Sequence, residues 1–369
     1  PAATAPERQV HLASLLDSEP TPEQRALAAA MSEEVRLHGT RAALCDLARE
    51  AARRQPQLLL VEDLPIPDLR TWGVVPDDNY FALAPLGGHR EPMRLRSTGL
   101  SGLLGRLGAP VEFVRDRLTA PLQLATINYL LSRDESALSG LLRLRRGQVS
   151  AVVSERYAPF DVEQLVDTVR LALAHHGALG EVRVRAVATG MTDVLRLTFP
   201  SEAVAVKPGD ISHVGLDVSS SSFGRSAVHI RSMIWRLVCT NGLRMPEKSG
   251  SFSFRHVGES ERLSDGIGEA IPAALAHARG TMGRWRRAVT VMVDRVAELV
   301  DDMRELTGVE RGRVRDELRL AHGAAELPER TDAYNLVNAL TAAAHDAEPA
   351  RRLELETFAG RVLRQQVGA

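Results

Sequence analysis

Residues 181–188, Glu-Val-Arg-Val-Arg-Ala-Val-Ala, alternate apolar and polar side chains almost without a break. Successive side chains of a strand point to opposite faces, so this period of two makes one apolar face and one basic face. On a helix the same residues would scatter around the whole circumference. Gly190-Met-Thr-Asp supplies a turn, and Val194-Leu-Arg-Leu-Thr-Phe then repeats the alternation as an antiparallel partner. Any fold of this chain has to contain that hairpin.

The surrounding patterns extend it. Leu142-Arg-Leu-Arg-Arg-Gly-Gln-Val-Ser-Ala-Val-Val-Ser alternates around Gly147 as a second hairpin. Val214-Gly-Leu-Asp-Val and Ser226-Ala-Val-His-Ile form a third extended pair across a serine-rich bend. Ile234-Trp-Arg-Leu-Val-Cys runs on to Asn241-Gly242, a turn signal, with Trp235 expected in the core. Leu58-Leu-Leu-Val-Glu-Asp-Leu reads as a buried strand, and Trp72 to Leu86 as strand and turn. Helical periodicity marks residues 97–118, interrupted at Gly108-Ala-Pro, then Pro121 to Leu131. It returns in Asp161 to His175, where Val162, Leu165, Val166 and Val169 share a face. Thr21-Pro-Glu-Gln, a cap followed by a first-turn proline, opens a helix toward Leu47 with a break near Gly39. Beyond Arg262 the pattern is helical: Ile267 to Arg279, Thr281 to Leu306, Asp332 to Ala344 and Leu353 to Val367. The expectation is an α+β fold: a central antiparallel sheet with hairpins and packed helices between helical N- and C-terminal regions. It divides into residues 1–75, 76–257 and 258–369.

Several function classes lose support. No run approaches the ~18 apolar residues of a membrane span, and Pro1-Ala-Ala-Thr-Ala-Pro-Glu-Arg has no apolar secretion core. A soluble, cytoplasmic protein is expected. Cys45 and Cys239 stand alone, which suits a reducing compartment. A phosphate loop ends in Gly-Lys-Ser/Thr, whereas the only lysines are Lys207, after Val206, and Lys248, after Glu247. Gly266-Ile-Gly lacks the third glycine of a dinucleotide fingerprint. No HExxH occurs, and Gly99-Leu-Ser-Gly lacks the spacing of a nucleophile elbow. No catalytic residue, cofactor or metal is assigned.

The leading blocks resemble a known family. Leu142 to Asp161, with its Arg-rich strand, turn and Glu155-Arg-Tyr-Ala, is similar to the "vRA-x-LS-x-RY" stretch of the phage/plasmid-like proteins grouped as domain-of-unknown-function family 932. Gly224-Arg-Ser-Ala-Val-His-Ile through Trp235-Arg-Leu-Val-Cys-Thr-Asn-Gly resembles that family's run closing in "V-C-x-NG". Tyr334-Asn-Leu-Val-Asn-Ala-Leu-Thr, followed by Leu353-Glu-Leu-Glu and Ala359-Gly, resembles its "NA-x-T" stretch. The three blocks occur in the family's order over roughly residues 90–365. Ser150 and Val153 depart from the first pattern, and Ser220-Ser-Ser-Phe departs from the bend expected between the blocks. The resemblance implies kinship with single-strand annealing proteins of the phage recombinase kind: ring or filament assembly and pairing of complementary strands without ATP.

Charge agrees with an anionic partner. The net charge is −1, yet residues 141–256 hold 15 basic and 10 acidic side chains while both flanks are acidic. Arginine, which supplies 44 of the 46 basic residues, grips phosphate bidentately and stacks on bases. The residues nominated to contact single-stranded DNA are Arg143, Arg145, Arg146, Arg156, Tyr157, Lys207, Arg225, His229, Arg231, Arg236 and Arg244. Tyr157 or Phe223 would be the stacking platform. The competing explanation for each arginine is a solvated face or half of an ion pair. Asn335 and Asn338 are read as capping or packing residues. Trp285, beside Arg284, Arg286 and Arg287, belongs to a second basic patch or to a helix end with a buried indole. The expected protein is an oligomeric, non-enzymatic single-stranded DNA-binding and annealing protein. The alternative is an accessory scaffold that binds a protein partner.

Overall fold

The structure, a computed structural model, describes residues 35–38, 61–88, 90–133, 138–175, 181–188, 192–207, 210–236, 241–245, 250–345 and 347–368. Of the helix expected from Thr21 toward Leu47, only Val35–His38 lies among the described residues, and it is a strand, β1. The remainder lies outside them.

Strands β2 (Glu62–Ile66), β3 (Trp72–Asp77), β4 (Tyr80–Pro85) and β5 (Met93–Leu95) precede helices α1 (Ser97–Arg106), α2 (Val111–Arg117) and α3 (Ala120–Ser132). Strands β6 (Gly140–Arg145) and β7 (Gln148–Val153) follow. They form a six-stranded sheet in the order β2-β6-β7-β5-β4-β3, antiparallel except for β5 against β7. Both tight hairpins have their turn chemistry in the sequence. Asp78 between β3 and β4, and Arg146-Gly147 between β6 and β7, adopt positive φ, the geometry whose twist matches that of the flanking strands. Leu69, Leu83, Leu103, Leu104, Ile127, Leu142 and Val149 make the core under α1–α3. Helix α1 lies directly on β7: a Cβ at Gly99 would stand 2.2 Å from the Val149 carbonyl oxygen.

Helix α4 (Val162–His175) leads into β8 (Glu181–Ala188), β9 (Asp193–Lys207), β10 (Asp210–Ser220), β11 (Val228–Arg236), β12 (Asn241–Arg244) and β13 (Ser251–Phe254). The second sheet is seven-stranded, ordered β1-β8-β9-β10-β11-β12, with β13 also paired to β11. The alternating segment is β8, and its expected partner is β9, with Val184 opposite Leu197. Leu195, Leu197 and Phe199 of β9, Val214, Leu216 and Val218 of β10, and Ile230 and Ile234 of β11 join one apolar cluster with α4 and α5 (Ser260–Arg287). The opposite face carries Arg196, Asp217, Trp235 and Arg244.

A two-stranded ribbon of β14 (Met292–Asp294) and β15 (Arg330–Asp332) brackets α6 (Val296–Asp302) and α7 (Gly308–His322). Helices α8 (Ala333–Ala343) and α9 (Pro349–Val367) close the chain. Thr307 and Glu310 cap α7 reciprocally, satisfying two otherwise orphaned amides.

The α+β class holds, with corrections. There are two main sheets, and the first contains one parallel pair. The helical segment expected to end at Arg279 continues through Gly280 to Arg287 in α5, because a single glycine costs a helix only about 1 kcal/mol. The break falls instead at β14. Asn241-Gly242 is not a turn but the start of β12, where Asn241 pairs with Arg236. Glycine fits there because a Cβ at 242 would meet Arg196 Nη1 at 3.3 Å and Glu356 Oε1 at 3.5 Å.

Candidate nucleic-acid interface

Strand β6 carries Arg143 into the space between the two cores, where its side chain is wholly buried. Burial of a guanidinium requires counter-charges and acceptors, and three parts of the chain supply them. Arg143 Nε donates to Asp63 Oδ1 at 2.8 Å and Nη2 to Asp161 Oδ2 at 2.8 Å, while Nη1 donates to the Ser222 carbonyl. The guanidinium lies 5.4 Å from the centre of the Tyr157 ring, whose hydroxyl donates to the Ser221 carbonyl at 3.1 Å. The other contact of that ring is a near-parallel stack on His256, with centroids 5.0 Å apart. His256 in turn lies 3.2 Å from the Ala158 carbonyl through Nδ1 and 3.4 Å from Ser220 Oγ through Nε2. Burial pushes the Tyr157 hydroxyl up to about 12. The result is a pillar of Arg143, Tyr157 and His256 around which the serine bend folds.

Burial also holds His256 below its ordinary value, opposed by the Ala158 carbonyl and reinforced by Arg143. The unfolded ring titrates near 6.5, so below that pH the unfolded chain binds the additional proton. Stability from this group is full above about pH 6.5 and is lost as pH falls through the depressed folded value. Urea midpoints measured from pH 7.5 to 5 should fall for the wild type, and His256→Asn should flatten that part of the profile.

The remaining nominated residues divide by exposure. Arg145 is buried with its guanidinium 4.4 Å from the Phe223 ring centre, so Phe223 is likewise turned inward. Arg244 is buried against Asp217, Nε to Oδ2 at 2.5 Å, and Nη1 donates to the Leu353 carbonyl of α9. The same Asp217 faces Arg196, whose fork also grips Glu356 of α9. Arg352 reaches Glu356 from one helical turn away. Burial works to lower the Arg196 value, but Glu356 and Asp217 more than offset it and hold it above the usual guanidinium range. Arg236 holds Asp210 through both carboxylate oxygens, and the Tyr334 hydroxyl donates to the same carboxylate. Lys207 pairs with Asp332 at 3.1 Å and lies 4.7 Å from the Tyr334 ring centre. Of these nominated residues, Arg143, Arg145, Tyr157 and Arg244 are buried, and Arg236 and Lys207 are half-buried and ion-paired. Their polar groups or π-faces already have protein partners.

Arg146, Arg156 and Arg225 are exposed, and His229 and Arg231 are half-buried, the latter donating to Ser219 Oγ at 3.3 Å. A further exposed arginine, Arg255, escaped the sequence reading because Phe-Arg-His-Val shows no motif. Three of these surround the pillar. Arg156 precedes Tyr157, which bridges to Val257, and Arg255 precedes His256. Arg225 follows Gly224, where a Cβ would lie 3.3 Å from the Tyr157 ring. Arg146 crowns the adjoining β6–β7 hairpin. Elsewhere Trp285 is buried, donating to Ser212 Oγ and tilted against Tyr334, which settles the indole as core, while Arg286 and Arg287 are exposed at the end of α5. Asn335 bonds Asp332 beside the α8 cap.

Residues 149–364 match the family described as domain of unknown function (DUF932). The chain belongs to that family. The match begins in β7 and ends in α9, a narrower span than the resemblance suggested. In this member of family 932 the matched span contains Tyr157, Asp161, the serine bend, His256 and the whole Arg196–Asp217–Arg244–Glu356 network, whereas Arg143, Asp63 and the β6–β7 turn precede it. No curated protein and no solved structure matches the chain. Among the described residues no three His, Cys, Asp or Glu side chains are grouped to hold a metal, and no helix is long and apolar enough to cross a membrane.

Proposed function

We propose that this family 932 member binds single-stranded DNA through Arg146, Arg156, Arg225 and Arg255, and anneals complementary strands as an oligomer of the phage recombinase type without ATP or metal. The observation that carries this reading is the set of exposed arginines beside the buried Arg143–Tyr157–His256 pillar. Their backbones are held by the β6–β7 hairpin, the Tyr157–Val257 bridge and the serine bend. Guanidinium groups on fixed backbone, with exposed side chains, suit a phosphate chain, which they can grip bidentately from solvent.

With Tyr157 and Phe223 turned inward, stacking contributes little and affinity is electrostatic. Binding should therefore be insensitive to base composition and steeply dependent on salt. Each phosphate contact adds about 0.7 to the slope of log K against log salt for a single strand. Replacing Arg146, Arg156, Arg225 and Arg255 together with alanine should reduce that slope by about 2–3 and weaken binding ten- to a hundredfold at low salt. Fluorescence anisotropy with a labelled oligonucleotide measures both quantities. A folded quadruple variant with unchanged affinity would remove this surface from the reading, and failure of the wild type to accelerate pairing of complementary oligonucleotides would remove annealing.

A further inference from the structure

Between α4 and α5 runs an open groove of about 950 Å³, lined by residues that include Asp167, Leu171, Asp265, Gly268, Glu269 and Pro272. One wall is α5, where Pro272 lies inside the helix and its ring faces the groove. Gly268, one turn earlier, also lines it, and a Cβ built there would meet nothing within 4 Å, so the wall is open at that point. The exposed carboxylates of Asp265 and Glu269, one helical turn apart, stand on the same wall.

The opposite wall, α4, adds Asp167, 3.8 Å from Arg170 of the same helix, and His175 near its end. Thr168 and Ser264 close the floor by bonding each other at 3.1 Å. The apolar part is Leu171, 57% exposed, beside Ala172 and the proline ring. A groove rich in acceptors, with an exposed leucine, is complementary to N–H donors carried on an aliphatic scaffold. Its carboxylates repel phosphate, which separates it from the arginine surface above.

We propose that the α4–α5 groove binds a basic, amphipathic segment of a partner protein. A lysine or arginine side chain of that segment lies between Asp265 and Glu269, while a neighbouring aliphatic side chain packs on Leu171 and Pro272. The groove is open along its length, so it accepts a chain rather than enclosing a small molecule.

The test uses the full chain and a fluorescein-labelled peptide of alternating leucine and arginine, followed by anisotropy. The wild type should bind it at least tenfold more tightly than the same peptide with serine for leucine, which keeps the charge. Asp265→Lys with Glu269→Lys should weaken binding at least tenfold, and Leu171→Ser severalfold, with thermal midpoints close to wild type because all three side chains are exposed. Glu298→Lys with Asp316→Lys, which makes the same charge change away from the groove, should have little effect. Equal binding of the leucine and serine peptides, or equal losses in the groove and control variants, would overturn the proposal. Loss of single-stranded DNA binding in the groove variants would instead assign both ligands to one surface, and would also overturn it.

Discussion

Replacing Glu356 with leucine should lower folding stability by about 3–5 kcal/mol, the cost of removing one partner from a fully buried ion pair. Glu356 and Asp217 are both wholly buried, and they neutralise Arg196 and Arg244, which are nearly so. Without Glu356, two guanidinium groups share one carboxylate inside the core, and Arg196 loses its bidentate acceptor. Asp217 cannot compensate: its contacts with both arginines are ion pairs by distance, yet neither of its oxygens accepts an aligned hydrogen bond. Helix α9 cannot slide to help either. Gly360, one turn beyond Glu356, lies so close to β12 that a Cβ there would be 2.0 Å from the Arg244 carbonyl oxygen. Urea denaturation should show a lower midpoint with an unchanged slope. Removing Arg196 as well, as Arg196→Met with Glu356→Leu, should recover part of the loss, because the uncompensated charge is gone. A single variant as stable as wild type would show that α9 does not depend on this network.

Replacing Arg143 with alanine should cost about 3 kcal/mol, from the low end of the buried-pair range, since Asp63 and Asp161 are about a third exposed and can be rehydrated. The rest of the loss comes from the cavity beneath Tyr157 and the deserted Ser222 carbonyl. This outcome separates two roles for the residue. A DNA contact would lower affinity and leave the melt unchanged; a structural hub lowers the melt and leaves the affinity of the folded protein nearly intact. Thermal midpoint and oligonucleotide anisotropy measured on the same preparation distinguish them. Arg146→Ala, three residues along and exposed in the hairpin turn, should show the reverse pattern.

Local pattern carried much of the architecture. Period-two alternation placed β8 and β9 with their partnership, Arg146-Gly147 marked the β6–β7 turn, and Val162, Leu165, Val166 and Val169 named the buried face of α4. These features are legible because they depend on residues close together in the chain: backbone geometry repeats every two or every 3.6 residues, and apolar side chains record it. The resemblance to family 932 rested on the same kind of local signal. The role of each arginine did not. Arg143 finds Asp63 80 residues away, and Arg196 finds Glu356 160 residues away. An arginine on a strand looks the same in sequence whether it faces water, phosphate or a buried carboxylate. Only the tertiary structure decided which guanidinium groups are consumed in the interior and which remain outside, because that choice depends on charges brought together across the fold rather than along the chain.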